Sequence, residues 1–408
     1  MRQIKYFLLA FILVSLNTEA QVFYKYDNKI YHAVYLNEAF RMMDTMQNFL
    51  LLDVRSPGEY ADTSRATAIN IGRLKGSVNI TIDSVPARLA ELKKYSDQPV
   101  FVYCSHSQRS RRVSKLLAEN GFQKVYNVNG GMSLVNESDN KEFPYKSKHL
   151  VADLNYSNVG PADAMQLIES TPDLVIIDIR TEKEFEDKDS LAQNNIGHLK
   201  NAINIPQAVF AEKLDGYHIP NNKPVLLYDL KGFNSMDVVE ALRAKGFTRI
   251  YNLYEGLETF SAYHTGNAKS TRSLIMNAPP YQILDSKSVI DILKNQPGLV
   301  IVDARPADEF NNKAARVYMN LGHIQGAVNI TSPDNLGTLT QLKDPATPFL
   351  VYGSNDGNGV QICLELIKKG YRNVYYLGQG FYHFVWTTYN IEDCQAGRAF
   401  LTDHEGIY

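Results

Sequence analysis

Four sequence blocks recur three times in one order, and this repeat limits the possible architectures more than any other feature. LLLDVRSPGEY, from Leu50 to Tyr60, returns as LVIIDIRTEKEF ending at Phe185 and as LVIVDARPADEF ending at Phe310, which sets Asp53, Asp178 and Asp303 at 125-residue intervals. IGRLKGSVNI from Ile71 returns from Ile196 and from Leu321. PVFVYC (99–104), PVLLYD (224–229) and PFLVYG (348–353) follow, then NGFQKVYNVNGG, KGFTRIYNLYEG and KGYRNVYYLGQG. Solenoid repeats run to roughly 20–50 residues, so this longer period describes three units that each bury a core of their own. A single core for all 408 residues is excluded. The units are read as 30–135, 155–265 and 280–390, with a tail at 391–408. Polar residues crowd into the linkers, Asn136 to Lys148 and His264 to Pro280.

Within one unit the pattern is α/β. Apolar runs such as Phe49–Leu52 and Val100–Tyr103 have the length and type of buried parallel strands. Helical stretches are expected at Leu36–Met46, Val85–Lys94 and Ser110–Asn120, the last with Val113, Leu116 and Leu117 on one face. Alternating strands and helices imply a mostly parallel sheet flanked by helices, with ligands beyond the carboxyl ends of the strands.

Composition narrows the function classes. A net charge of −2 offers no basic face for nucleic acid. Three cysteines are too few for a disulfide-built scaffold, and their odd number leaves at least one thiol free. The start of the chain, Met1-Arg2-Gln3-Ile4-Lys5, then apolar Tyr6 to Leu16, then Thr18-Glu19-Ala20, has the order of a secretory signal peptide over residues 1–20. Its apolar run is too short for a bilayer span. The expectation is an exported protein without stable membrane insertion, periplasmic if the source is Gram-negative.

The Asp-x-Arg-x-x-x-Glu block is present in all three units, which points to structure: Arg55–Glu59, Arg180–Glu184 and Arg305–Glu309 are expected to pair at i, i+4, with the aspartates capping a turn. Chemistry is sought where the units differ. After the third block the first unit reads Cys104-Ser105-His106-Ser107-Gln108-Arg109-Ser110, the second Asp229-Leu230-Lys231-Gly232 and the third Gly353-Ser354-Asn355-Asp356. A strand-to-helix turn of this kind can aim successive N–H groups, and the positive end of the helix, at the residue closing the strand. A cysteine there is favoured as its thiolate. Arg109, Arg111, Arg112 and Lys115 are expected to add positive charge, with Arg73 and Lys75 behind them. Asp229 would put a carboxylate in the same cradle, and Gly353 leaves the position empty.

These residues together resemble the rhodanese-like domain family of sulfurtransferases, in three tandem units of which only the first has the family's active-site cysteine. The resemblance implies that Cys104 takes sulfane sulfur from an anionic donor such as thiosulfate and passes it, through a persulfide, to a thiol or cyanide-like acceptor, with a protein acceptor also open. It implies that the N–H groups from Ser105 to Ser110 hold the anion and that Arg109 orients the donor. It requires no cofactor. Many relatives have glycine where this chain has Ser107. Phosphatases of the related fold place five residues between cysteine and arginine, whereas four separate Cys104 from Arg109. The nine histidines show no metal-ligand spacing. His106 has two open readings, a tuner of Cys104 or a solvated loop residue. Cys363, Trp386 and the Tyr371–Tyr382 segment are read as core, and a Cys363–Cys394 disulfide is left open. A second function class also stands: a redox or docking module in which the two units without a cysteine at the Cys104 position hold a partner protein while Cys104 senses oxidants or forms mixed disulfides.

Overall fold

The computed structural model describes residues 24–402, apart from 66, 139–142, 233–235, 266–268, 340–343 and 355–356. The proposed signal segment therefore lies outside the described residues. No helix among those described is long and apolar enough to cross a membrane.

Each unit contains one five-stranded parallel sheet in the same spatial order. In the first, the strands lie in the order His32–Val34, Lys124–Val128, Pro99–Tyr103, Leu50–Asp53, Val78–Asn79. The second runs Ser157–Val159, Ile250–Leu253, Val225–Tyr228, Val175–Asp178, Ile203–Asn204, and the third Gln282–Leu284, Val374–Leu377, Phe349–Tyr352, Val300–Asp303, Val328–Asn329. Leu50–Leu52 and Val100–Tyr103 are buried throughout, as a sheet covered on both faces requires. The third block is thus the central strand of every unit, and the residue after it stands at the carboxyl edge of the sheet. The expected helix at Val85–Lys94 is instead a chain of short pieces: 3₁₀ turns Pro86–Arg88 and Lys93–Tyr95 around one α-turn, Leu89–Leu92. Pro86 has no N–H with which to join a regular helix to the preceding turn.

The arginines of the repeated block do not pair as expected. Arg55 turns back on Asp53, with Nη2 2.7 Å from Oδ2, and donates from the same nitrogen to the Gly72 carbonyl at 2.8 Å. Arg180 and Arg305 repeat this with Asp178 and Gly197, and with Asp303 and Gly322. Burial works against the Arg55 cation, and its bonds to Asp53 hold it charged. Asn79 locks the turn by donating to the carbonyls of Asp53 and Arg55, as Asn204 and Asn329 do in their units. The block is structural, but through i, i−2 pairing.

The units are interlocked. The linker strand Leu150–Val151 pairs antiparallel with Arg73–Leu74 of the first unit, Ile275–Met276 pairs with His198–Leu199 of the second, and Leu401 of the tail bridges to Ile324 of the third. Gly72, at φ +73°, permits this approach, because a Cβ there would lie 2.7 Å from the Val151 carbonyl. Trp386 and Tyr254 join the core cluster of the first unit, and a single cluster runs from Val159 of the second unit to Tyr376 of the third. Cys363 and Cys394 are buried, unbridged, and belong to different clusters.

Candidate active site

Cys104 closes the strand Pro99–Tyr103, with a relative exposure of 1%, and lines a cavity of about 450 Å³. The loop is shaped by what holds its carbonyls. The helix Gly131–Glu137 presents its first N–H groups to it, Met132 donating to the Cys104 carbonyl and Ser133 to the Ser105 carbonyl, both at 3.0 Å. Gly131 has to be glycine: its φ is +57°, and a Cβ would collide with the Cys104 carbonyl. The His106 carbonyl accepts from the indole of Trp386 at 2.9 Å. In a planar trans peptide the N–H points opposite to the carbonyl. Anchoring these three carbonyls therefore turns the N–H groups of Ser105, His106 and Ser107 the other way. None of those three N–H groups has a protein acceptor among the described residues.

Ser107 takes the left-handed conformation, φ +70°, that glycine would adopt freely. Two bonds hold it there: its hydroxyl donates to the Val128 carbonyl, and the Ser110 hydroxyl donates to the Ser107 carbonyl. Ser110 is buried and also bonds Asn127 at 2.6 Å, so it supports the loop from behind and does not line the cavity. Gln108 begins the helix Gln108–Glu119 and does line it.

Arg109 reaches back across the loop to Glu59, the residue that the i, i+4 spacing pairs with Arg55. Its two terminal nitrogens bind the Glu59 carboxylate at 2.7 and 2.6 Å, and Nη2 also meets the Ser105 hydroxyl at 2.9 Å. Burial opposes the charge on Glu59, yet Arg109 and Ser56 hold its carboxyl down at about 2. Burial also opposes the Arg109 cation, and Glu59 with Cys104 more than offset it. Its side chain is 31% exposed, and it lines the cavity.

The other expected cations point away. Arg111 is wholly buried against Asp27 at 3.0 Å, Asn129 and Asn390, under the Tyr24 ring. Lys115 pairs with Glu119, and Arg73 with Asp153. The loop field therefore comes from the N–H groups and one neutralised arginine, rather than from a basic cluster.

The rest of the cavity wall belongs to the third unit: Tyr382, His383 and Trp386 of the helix Gly380–Asn390. Trp386 is buried as expected, but in the first unit's core and against its loop. His106 is exposed at its outer edge, lies 2.9 Å from the Ser133 hydroxyl and meets Trp386 edge-on. Crowding by protein and the nearby Arg109 favour its neutral form, and burial does the same for His383. No signal in the sequence linked residues so far apart; only the high aromatic content of Tyr371–Trp386 marked the segment.

In the second unit, Asp229 stands where Cys104 does, since Tyr228 and Tyr103 both pair with the repeated aspartate in register. Its carboxylate accepts from the backbone N–H groups of Lys231 and Gly232. Residues 233–235 and 355–356 of the corresponding turns lie outside the described residues.

Comparison with known proteins agrees with this fold. The family model described as "Rhodanese-like domain" matches residues 36–138, 160–263 and 286–385. The chain is 30% identical over 112 residues to the thiosulfate sulfurtransferase GlpE of Coxiella burnetii, covering 27% of this chain and 91% of that protein. It is 29% identical over 92 residues to a sulfurtransferase of Allochromatium vinosum, covering 22% of this chain and 75% of that one. Among solved structures, wild-type EanB overlaps 88% of this chain and 96% of its own at 13% identity, with a TM-score of 0.28. A thiosulfate sulfurtransferase from Pseudomonas aeruginosa overlaps 85% and 66% at 14% identity, with a TM-score of 0.23, so the whole-chain superposition is poor in both cases. By the family match along most of its length, this chain belongs to the rhodanese-like domain family and carries three tandem copies of the domain.

Proposed function

We propose that this chain is an exported sulfurtransferase whose reacting atom is the sulfur of Cys104. The Cys104 thiolate attacks the outer sulfur of a donor such as thiosulfate. The donor S–S bond breaks, its electron pair leaves with sulfite, and a persulfide remains on Cys104. A thiol or cyanide-like acceptor then attacks the terminal sulfur and returns the thiolate. Export rests on the order of charged, apolar and small residues in 1–20.

One observation carries the reading. The turn of the second unit clasps the Asp229 carboxylate with two backbone N–H groups, and the same turn in the first unit surrounds a cysteine, with the N–H groups of Ser105, His106 and Ser107 lacking a protein acceptor among the described residues. Preorganised donors of this sort stabilise an anion with little reorganisation. Incubating the protein with thiosulfate should add the mass of one sulfur, about 32 Da, to the peptide holding Cys104, and cyanide should remove it. An unchanged peptide mass would sink the proposal.

The wall from the third unit favours a role for that unit in the same reaction rather than in docking alone. Trp386→Phe keeps the ring and removes the bond to the His106 carbonyl, freeing the peptide that orients the Ser107 N–H. Single-turnover persulfide formation should slow by roughly threefold to tenfold, the equivalent of one lost hydrogen bond. An unchanged rate would show that the indole only packs.

A further inference from the structure

The helix that follows the fourth sequence block begins at Gly131, Gly256 and Gly380 in the three units. The second, third and sixth residues after that glycine are Ser133, Leu134 and Glu137 in the first unit and Glu258, Thr259 and Ala262 in the second, but Tyr382, His383 and Trp386 in the third. These three aromatic residues are the ones that the third unit contributes to the Cys104 cavity. Spacings of three and four put them on one helical face. On the reading that Cys104 carries a persulfide, we propose that this face selects the sulfur acceptor, an uncharged thiol bearing an aryl group, and that Tyr382 sets the preference.

Packing accounts for Trp386, which is buried in the first unit's core and donates to the His106 carbonyl. It does not account for Tyr382, which is 42% exposed while Phe381 and Phe384 beside it are buried. A ring left partly in solvent beside a reacting sulfur can cover the apolar body of a substrate. The cavity, about 450 Å³, has the size of a small-molecule site, and thiosulfate, with two sulfurs and three oxygens, fills only a small part of it. Its oxyanion end belongs with the loop N–H groups and Arg109, which leaves the aromatic wall to the acceptor. Charge narrows the choice further. Among the described residues Arg109 is the one lining side chain of fixed charge, and Glu59 neutralises it at 2.6 Å. His106 and His383 are held in their neutral forms. A charged acceptor would lose water there without gaining a counter-charge, whereas an aryl group gains ring contacts. The acceptor thiolate, its proton lost to solvent, attacks the outer sulfur of the protonated Cys104 persulfide. A new S–S bond forms, the S–S bond to Cys104 breaks with its electron pair on the cysteine sulfur, and the acceptor leaves as a hydropersulfide.

The two half-reactions are tested separately. Full-length protein is loaded with thiosulfate, freed of excess donor and checked by mass for one added sulfur. Transfer to phenylmethanethiol, 2-sulfanylethanol, 3-sulfanylpropanoate and cyanide is then followed by rapid quench, with the thiol rates compared per thiolate. Phenylmethanethiol should react about tenfold faster than 2-sulfanylethanol or more, the scale set by burying one phenyl group, and 3-sulfanylpropanoate no faster than 2-sulfanylethanol. Tyr382→Ala should cut the ratio of the phenylmethanethiol rate to the cyanide rate by roughly threefold to tenfold, the scale of one ring contact. Tyr382→Phe keeps the ring and should keep the ratio. Equal rates for phenylmethanethiol and 2-sulfanylethanol, or an unaltered ratio in Tyr382→Ala, would overturn the acceptor assignment and leave the loaded persulfide standing. Failure to load sulfur would instead overturn the sulfur-transfer reading, and the acceptor assignment with it.

Discussion

Cys104→Ser is expected to remove sulfur transfer, lowering turnover by on the order of 10³-fold or more, because the proposed reaction passes through a covalent bond to the Cys104 sulfur. A serine hydroxyl stays protonated near neutrality and forms no persulfide. The loop itself should survive. Its shape is set by Met132, Ser133 and Trp386 acting on backbone carbonyls, not by the sulfur. Stability should change by about 1 kcal/mol or less, because the loop N–H groups offer donors to the new hydroxyl oxygen. Cys363→Ser and Cys394→Ser are the controls. Both thiols are disfavoured as thiolates by burial, Cys394 being pushed up to about 12, and neither lines the Cys104 cavity, so both variants should keep their turnover. Steady-state transfer from thiosulfate to cyanide, beside near-ultraviolet circular dichroism, decides the matter. Activity of Cys104→Ser within tenfold of the parent would refute a covalent role.

Asp53→Ala should give the largest loss of stability, about 3–5 kcal/mol, because it leaves the Arg55 guanidinium buried without its counter-charge. Both side chains of this pair are fully buried, and Asp53 accepts from the Arg55 backbone N–H as well as from its side chain. The damage extends beyond the pair, since Arg55 also anchors the Gly72 carbonyl, next to the strand that takes up the first linker. Asp153→Ala is the matching control: its bond to Arg73 is largely exposed, at 60% for the aspartate, and its removal should change stability by about 1 kcal/mol or less. Urea unfolding of the two variants separates the cases. A loss below about 1 kcal/mol for Asp53→Ala would mean that water reaches Arg55 readily in the variant.

Much of the fold is legible from sequence because local patterns determine it. Four-residue apolar runs followed by polar turns identify the strands, and their repetition in one order identifies three sheets of one topology. The misreadings have physical causes. Helical spacing pairs Arg55 with Glu59, but the block leaves the strand as an extended turn, where i, i−2 pairing is available and no helix lies between the partners. Glu59 is thereby released to cap its own short helix with Ser56 and to bind Arg109, fifty positions away. The cations clustered around the Cys104 loop in sequence disperse because successive helix residues face different directions: Arg109 faces the cavity, Arg111 the core and Arg112 solvent.

The number of units, the α/β class and the position of the one cysteine that closes a central strand can be read from the chain. Each of these depends on neighbours along the chain or on recurrence at a fixed interval, and both can be read in one dimension. What surrounds that cysteine follows from packing in three dimensions. Glu59 lies 45 residues before Cys104 and Trp386 lies 282 after it, yet one holds Arg109 and the other holds the loop. Contacts over such separations are set by how the units pack on one another, which is why the third unit, without a cysteine at the equivalent position, forms a wall of the first unit's cavity.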